Sequence, residues 1–188
     1  MKFRAVKLIG VIAFVLLFTR FAAAQSSDYH QLKAEEFEGM PDVNSADNIA
    51  YTNCFIDFNY RAKSEKGLYR LTCDIKLVFS HDKSWINKRK VLSAKMMSDI
   101  LNHEQGHYII AYMEQQELIR TISKTRFDAN YQYEASNIFE RLHEKYKQLS
   151  LDYDEDTGHM QNRDQQHSWD VYFQKRLAYM PPVDIARN

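Results

Sequence analysis

Residues 68–79 read Leu-Tyr-Arg-Leu-Thr-Cys-Asp-Ile-Lys-Leu-Val-Phe, and their alternation sets the fold class. Tyr69, Leu71, Cys73, Ile75, Leu77 and Phe79 share one face, while Arg70, Thr72, Asp74 and Lys76 point the other way. A period of two marks a half-buried antiparallel strand. Upstream, Cys54, Ile56, Phe58 and Tyr60 share a face, with Asp57 and Asn59 opposite. The polar stretch Ala62–Gly67 separates the two segments, so a hairpin is expected over about residues 50–79. Centred on residues 63–64, that hairpin sets Cys54 opposite Cys73. Directly opposed residues lie about 4.5–5.5 Å apart at Cα, within disulfide range. In an oxidising compartment a Cys54–Cys73 disulfide is therefore expected.

Downstream the period changes. Met97, Ile100, Leu101, Tyr108, Ala111, Leu118 and Ile122 suit one long helix over 94–124. Asp128 reads as the N-cap of a second helix striped by Tyr131, Ala135, Ile138, Phe139, Leu142, Tyr146 and Leu149. The polar run Asp152–Gly158 is expected to break it. A third helix carries Trp169, Phe173, Leu177 and Met180, and Pro181-Pro182 stops it. Strands followed by helices predict an α+β domain, a small antiparallel sheet packed with three helices.

Before the hairpin, residues 25–48 are mostly polar, with turn signals at Gly39, Pro41-Asp42 and Asn44-Ser45. Residues 1–24 differ in kind. Met1–Lys7 is cationic, Leu8–Phe18 is a run of 11 residues without a polar side chain, and Ala22-Ala23-Ala24 precedes Gln25. The run falls short of the roughly 18–20 residues that span a bilayer. Its order is that of a secretory signal peptide, cleaved near Ala24-Gln25. The expectation is one domain over 25–188, periplasmic or secreted, with no membrane span in the mature chain. The 188-residue chain balances 25 Lys+Arg against 25 Asp+Glu. Without residues 1–24 it has 21 basic and 25 acidic residues. A mildly acidic protein with no basic run excludes nucleic acid as the expected partner.

The chemical signal is His103-Glu104-Gln105-Gly106-His107, an H-E-x-x-H pattern inside the long helix. Spacing i, i+4 sets both imidazoles on one face, about one turn apart, where they can grip one Zn²⁺. Glu104 lies beside that face, where a general base acting on water must sit. Gly106 in mid-helix costs about 1 kcal/mol relative to Ala, so close approach of another backbone is expected there.

Two His are not a complete ligand set. Glu114 faces the same way, but seven residues beyond His107 it lies about 10 Å farther along the axis. Four later residues remain candidates. Glu134 and His143 sit on the flanks of the second helix's stripe, and His167 points away from the third. His159 sits on a turn that can aim inward, with Asp154 or Asp156 near enough to orient its second nitrogen.

The sequence resembles an exported bacterial family, the domain of unknown function 922 family, described as predicted secreted zinc-dependent proteases. The likeness rests on His103-Glu104-Gln105-Gly106-His107, then Tyr153-Asp154-x-x-Thr157-x-His159, then Gln166-x-x-Trp169. Phe37-x-Gly39-x-Pro41 and Ser84-Trp85 match more weakly. Met160 stands where many members have Gly, and Ala34 where an aromatic is usual. The resemblance implies that His103 and His107 bind zinc, that Glu104 is catalytic, and that His159 is the third ligand. It implies a zincin-like metallopeptidase acting on a peptide or protein substrate. On this reading Tyr153 is a candidate to hold an oxyanion, and an exposed sheet edge a candidate to bind substrate backbone. The alternative is a zinc-containing envelope binding module without hydrolysis, or a helical interaction domain without metal. Export is the part most directly tested: intact mass on envelope fractions should give a species lacking residues 1–24, and a dominant species retaining Met1 would overturn it.

Overall fold

The structure, a computed structural model, describes residues 29–42 and 48–180. The expected signal segment, the Asn44-Ser45 turn and the Pro181-Pro182 stop lie outside the described residues. Gly67 decides how the two long strands meet. Lys66 and Gly67 both take positive φ, 53° and 82°, the backbone of a two-residue hairpin turn that glycine favours. Strands β2 (Cys54–Glu65) and β3 (Leu68–Phe79) therefore run antiparallel up to the turn itself. No polar loop spans Ala62–Gly67. The apolar faces fall as the alternation predicts, with Ile56 opposite Leu77 and Phe58 opposite Ile75.

The turn also overturns the expected disulfide. Cys54 pairs with Phe79 and Cys73 with Tyr60. Six residues of strand separate Cys73 from Phe79, about 20 Å, against a disulfide limit near 7 Å. Both cysteines are free.

A second, smaller sheet joins β1 (Ala50–Tyr51) to β4 (Trp85–Ile86); the alternation did not reveal strands this short. Its surroundings explain the two weaker motifs. Gly39 N–H donates to the Ser84 carbonyl at 2.8 Å, and a Cβ at Gly39 would lie 2.8 Å from the Asp82 and Ser84 carbonyl oxygens. Only glycine permits that approach. The buried Ser84 hydroxyl accepts the Asn53 N–H at 2.9 Å, so one serine stitches the 37–39 segment and the start of β2 together.

Helix α1 (Ala94–Lys124) begins where the Ser93 hydroxyl accepts the Met96 N–H, an N-cap. Helix α2 (Tyr131–Thr157) starts two residues later than expected from a cap at Asp128. That side chain instead accepts the Asn130 N–H at 2.6 Å. The acidic run from Asp152 does not break α2, which continues to Thr157 and ends on left-handed Gly158. Propensity loses here to tertiary contacts, because Tyr153 and Thr157 are buried. Helix α3 (Arg163–Tyr179) follows.

The hairpin's apolar face packs on Leu118, Ile119 and Ile122 of α1 and on Ala135 and Leu142 of α2. Leu118 has no exposed surface, and truncating such a leucine costs about 2–5 kcal/mol. A second cluster joins Ile109, Ile110 and Met113 of α1 to Tyr146 and Tyr153 of α2 and Phe173 of α3. The result is α+β, a small antiparallel sheet system with three helices. Among the described residues no helix is long and apolar enough to cross a membrane.

The cysteines give this register a direct check. Burial pushes the Cys54 thiol up to about 12 and the Cys73 thiol up to about 11, so reactive thiolate is scarce near pH 8. Protein prepared without reductant should show two alkylatable thiols once unfolded. Folded, both should react at least about a hundredfold more slowly than a free cysteine. A linked 54–73 peptide in a non-reducing map would contradict the register.

Candidate metal centre

Helix spacing brings His103 and His107 to one side of α1, and α2 crosses against them. Asp154 projects from α2 between the two rings. Its Oδ1 lies 3.1 Å from His103 Nε2 and 3.0 Å from His107 Nε2. These three residues form a group whose ligand atoms all lie within 4.8 Å of one another. Asp154 thus sits in the donor group itself, where the sequence reading had it only orienting His159.

His159, expected as the third ligand, lies outside that group. Its Nδ1 lies 3.3 Å from the same Asp154 oxygen, and its side chain, though mostly exposed, lines the same cleft. The backbone places it there: Gly158, His159 and Met160 take positive φ of 53°, 50° and 76°. A non-glycine residue is costly in this region, a cost the chain carries at both His159 and Met160. The other candidates are not brought in. Glu134 is on the first turn of α2, 20 residues from Asp154 and so about 30 Å away along the helix. His167 is exposed on α3. His143 bonds Glu114 at 3.1 Å.

Behind the ligand face a polar network fixes the rings. His103 Nδ1 lies 3.2 Å from the Gln166 amide oxygen, and Gln166 Nε2 donates to the Tyr153 hydroxyl at 2.8 Å. That hydroxyl donates to the His103 carbonyl at 3.1 Å. His107 Nδ1 meets the Ser150 hydroxyl at 2.8 Å. Outer partners of this kind hold a ligating imidazole in one orientation and tautomer. The motif residues now have distinct tasks. Tyr153 stacks on His103 at 4.7 Å with ring planes 17° apart, and Trp169 packs on Tyr153 while donating to Asp156 at 3.0 Å. Tyr153 is fully buried beneath the site, so it does not face an oxyanion.

Gly106 is explained by the same ring. A Cβ there would lie 2.5 Å from Tyr153 Cζ and 2.7 Å from Cε1. The close neighbour is thus an aromatic side chain, where a backbone was expected.

Glu104 is buried, and its Oε2 has no hydrogen-bond partner. It lines a cleft of about 340 Å³ together with His103, His107 and Asp154. The electrostatics follow from burial and pairing. Burial pushes the Asp154 carboxyl up, but the hydrogen bonds from His103 and His107 outweigh it and hold the group well below the usual carboxylate range. Burial opposes charge on His107, yet the Asp154 bond and the Glu104 and Asp154 charges raise it overall.

The donor chemistry fits a divalent cation. The Nδ1 atoms of His103 and His107 are taken by the Gln166 amide and the Ser150 hydroxyl, so both Nε2 atoms converge on Asp154 Oδ1 and would be the ligating atoms. Two imidazoles and one carboxylate are a donor set that zinc accepts.

Residues 20–160 match the family described as Bacterial protein of unknown function (DUF922), and the chain belongs to that family. The match takes in both His103–His107 and Tyr153–His159. No curated protein and no solved structure matches the chain.

Gly106→Ala tests how tightly the two helices must meet here. The substitution gains up to about 1 kcal/mol of helix propensity, but overpacking against a ring locked on both faces costs about 1–3 kcal/mol. The expected net effect is a lower Tm together with weaker metal binding, both measured by thermal melts with and without zinc. A higher Tm would contradict the packing.

Proposed function

We propose that the chain is an exported zinc-dependent metallopeptidase in which Glu104 is the general base. The observation that carries this reading is the Glu104 carboxylate, buried with Oε2 unpartnered in the cleft that the His103–His107–Asp154 group also lines. A carboxylate left without a partner is costly in a finished core. Beside a metal site it is positioned to take a proton from water.

On this reading His103, His107 and Asp154 hold the zinc ion, and His159 steadies Asp154 through the oxygen it approaches. Bound zinc supplies Lewis acidity toward the scissile carbonyl and the attacking water. Glu104 takes the proton that water loses and delivers it to the departing amine. Gln166 and Ser150 keep the two imidazoles aimed during that exchange. Strand β1 lines the same cleft and has β4 as its one strand neighbour among the described residues. Its other edge is suited to hold substrate backbone as an added strand. Export places such an activity in the periplasm or outside the cell.

Metal content and peptide turnover on the same variants test the reading. Glu104→Gln should keep zinc and lose about 10²–10⁴-fold in hydrolysis. His103→Ala, His107→Ala and Asp154→Ala should lose the metal. His159→Ala should weaken it about 10–100-fold, as outer partners do. Zinc kept in Asp154→Ala but lost in His159→Ala would give the third-ligand role to His159. Unchanged turnover in Glu104→Gln would remove the mechanism, and stoichiometric zinc with no turnover of any peptide would favour a binding module.

A further inference from the structure

The cleft extends beyond the donor group. Along α1 its floor runs from His107 past Ile110 and Ala111 to Glu114, and His143 lines it opposite Glu114. Glu114 stands two helical turns beyond His107 on the same face, about 10 Å along the axis. Its side chain is buried, with Oε1 3.1 Å from His143 Nδ1. Burial pushes its carboxyl above the ordinary range, and the His143 contact offsets this in part.

Among the described residues no fixed cation answers this carboxylate. Those that line the cleft include no Arg and a single Lys, Lys147, whose amine turns to Glu144 at 3.3 Å. A desolvated carboxylate in such a cleft favours a ligand of the opposite sign. Ile110, Ala111 and Leu151 supply apolar wall on the way in, the surface along which the methylene stem of a long cationic side chain packs.

We propose that Glu114 is the specificity-determining residue of this cleft, receiving a Lys or Arg side chain of the substrate within about three residues of the bond cleaved. The assignment rests on the peptidase reading of the cleft. The distance follows from the helix, since about 10 Å corresponds to about three residues of extended chain. A carboxylate accepts several donors at once, so His143 can hold Oε1 while an ammonium or guanidinium group is bound.

Binding tests this apart from turnover. The probes are fluorescein-labelled hexapeptides in which each position in turn is Lys, norleucine or Glu. They are titrated by anisotropy into the zinc-loaded full chain carrying Glu104→Gln, which leaves bound peptide intact. At one or two adjacent positions Lys should bind at least about tenfold more tightly than norleucine, with Glu the weakest. Adding Glu114→Gln should bring the Lys-to-norleucine ratio close to one, and Glu114→Lys should reverse the order in favour of Glu. His143→Ala, which keeps the carboxylate, should keep the Lys preference. Equal affinities for Lys and norleucine at every position would overturn the assignment, as would a Lys preference that survives Glu114→Gln. A Lys preference in binding with no cleavage by the unmodified protein would sustain the role of Glu114 while removing hydrolysis. Cleavage without any basic preference would do the reverse.

Discussion

The contact between Asp154 of α2 and the two imidazoles of α1 is the constraint around which the rest of the molecule is arranged. It buries polar atoms at a helix–helix crossing, where unsatisfied groups cost about 1–3 kcal/mol each. The surrounding sequence removes that cost one group at a time. Gln166 answers the far side of His103, Ser150 the far side of His107, and Tyr153 bridges Gln166 to the α1 backbone. A network of this kind rigidifies a site when each member is satisfied and destabilises it when one is not. Apolar clusters lie on both sides of this polar node. The hairpin closes one end and α3 the other, so α1 and α2 cannot slide without breaking either the network or a core.

Helix α3 shows how the site holds the fold as much as the fold holds the site. It buries little besides Gln166 and Phe173. Its attachments are specific: Gln166 to His103, Asp170 to both Gln166 and Asn102, Trp169 to Asp156, and Arg163 to Asp99. Most of these reach residues within one turn of the H-E-x-x-H segment or of Asp154. Alongside the apolar packing of Phe173 and Trp169, these polar contacts fix α3 to the face that carries His103 and Asp154, and on the proposed reading metal binding and the docking of α3 would be coupled.

What the sequence made legible followed from periodicity. The period-two faces of β2 and β3 and the stripes of α1 and α2 appear where they were expected, because each is enforced by burial over ten or more residues. The strands β1 and β4, of two residues each, carry no periodic signal. The hairpin register was misread because a single glycine sets it. Placing the turn at Lys66-Gly67 moves each cross-strand pair by six residues in sum, and with it the cysteine pairing. The site was legible in its first half, since i, i+4 spacing on a helix has one geometric meaning. Its second half was hidden by a propensity argument. Asp152, Asp154 and Asp156 look like a break, yet α2 continues through them because Tyr153 and Thr157 are buried and Asp154 is paired. Once that segment is helical, Asp154 faces α1, and the turn after Gly158 sets a mostly exposed His159 against Asp154 in the same cleft.

Charge balance connects the two ends of the cleft. On the proposed reading, a dication held by two imidazoles and one carboxylate would leave a single formal positive charge, which the Glu104 carboxylate beside it would offset. The metal end would then exert little net pull on a charged side chain. Glu114, about 10 Å along α1, is the acidic group that this cancellation does not reach. Its neighbour His143 is exposed on its outer side, where water screens it, while Glu114 itself is desolvated. Discrimination between substrates would then reside at the Glu114 end and bond breaking at the Glu104 end. The two are separable because α1 runs uninterrupted between them, which sets them about 15 Å apart along the axis.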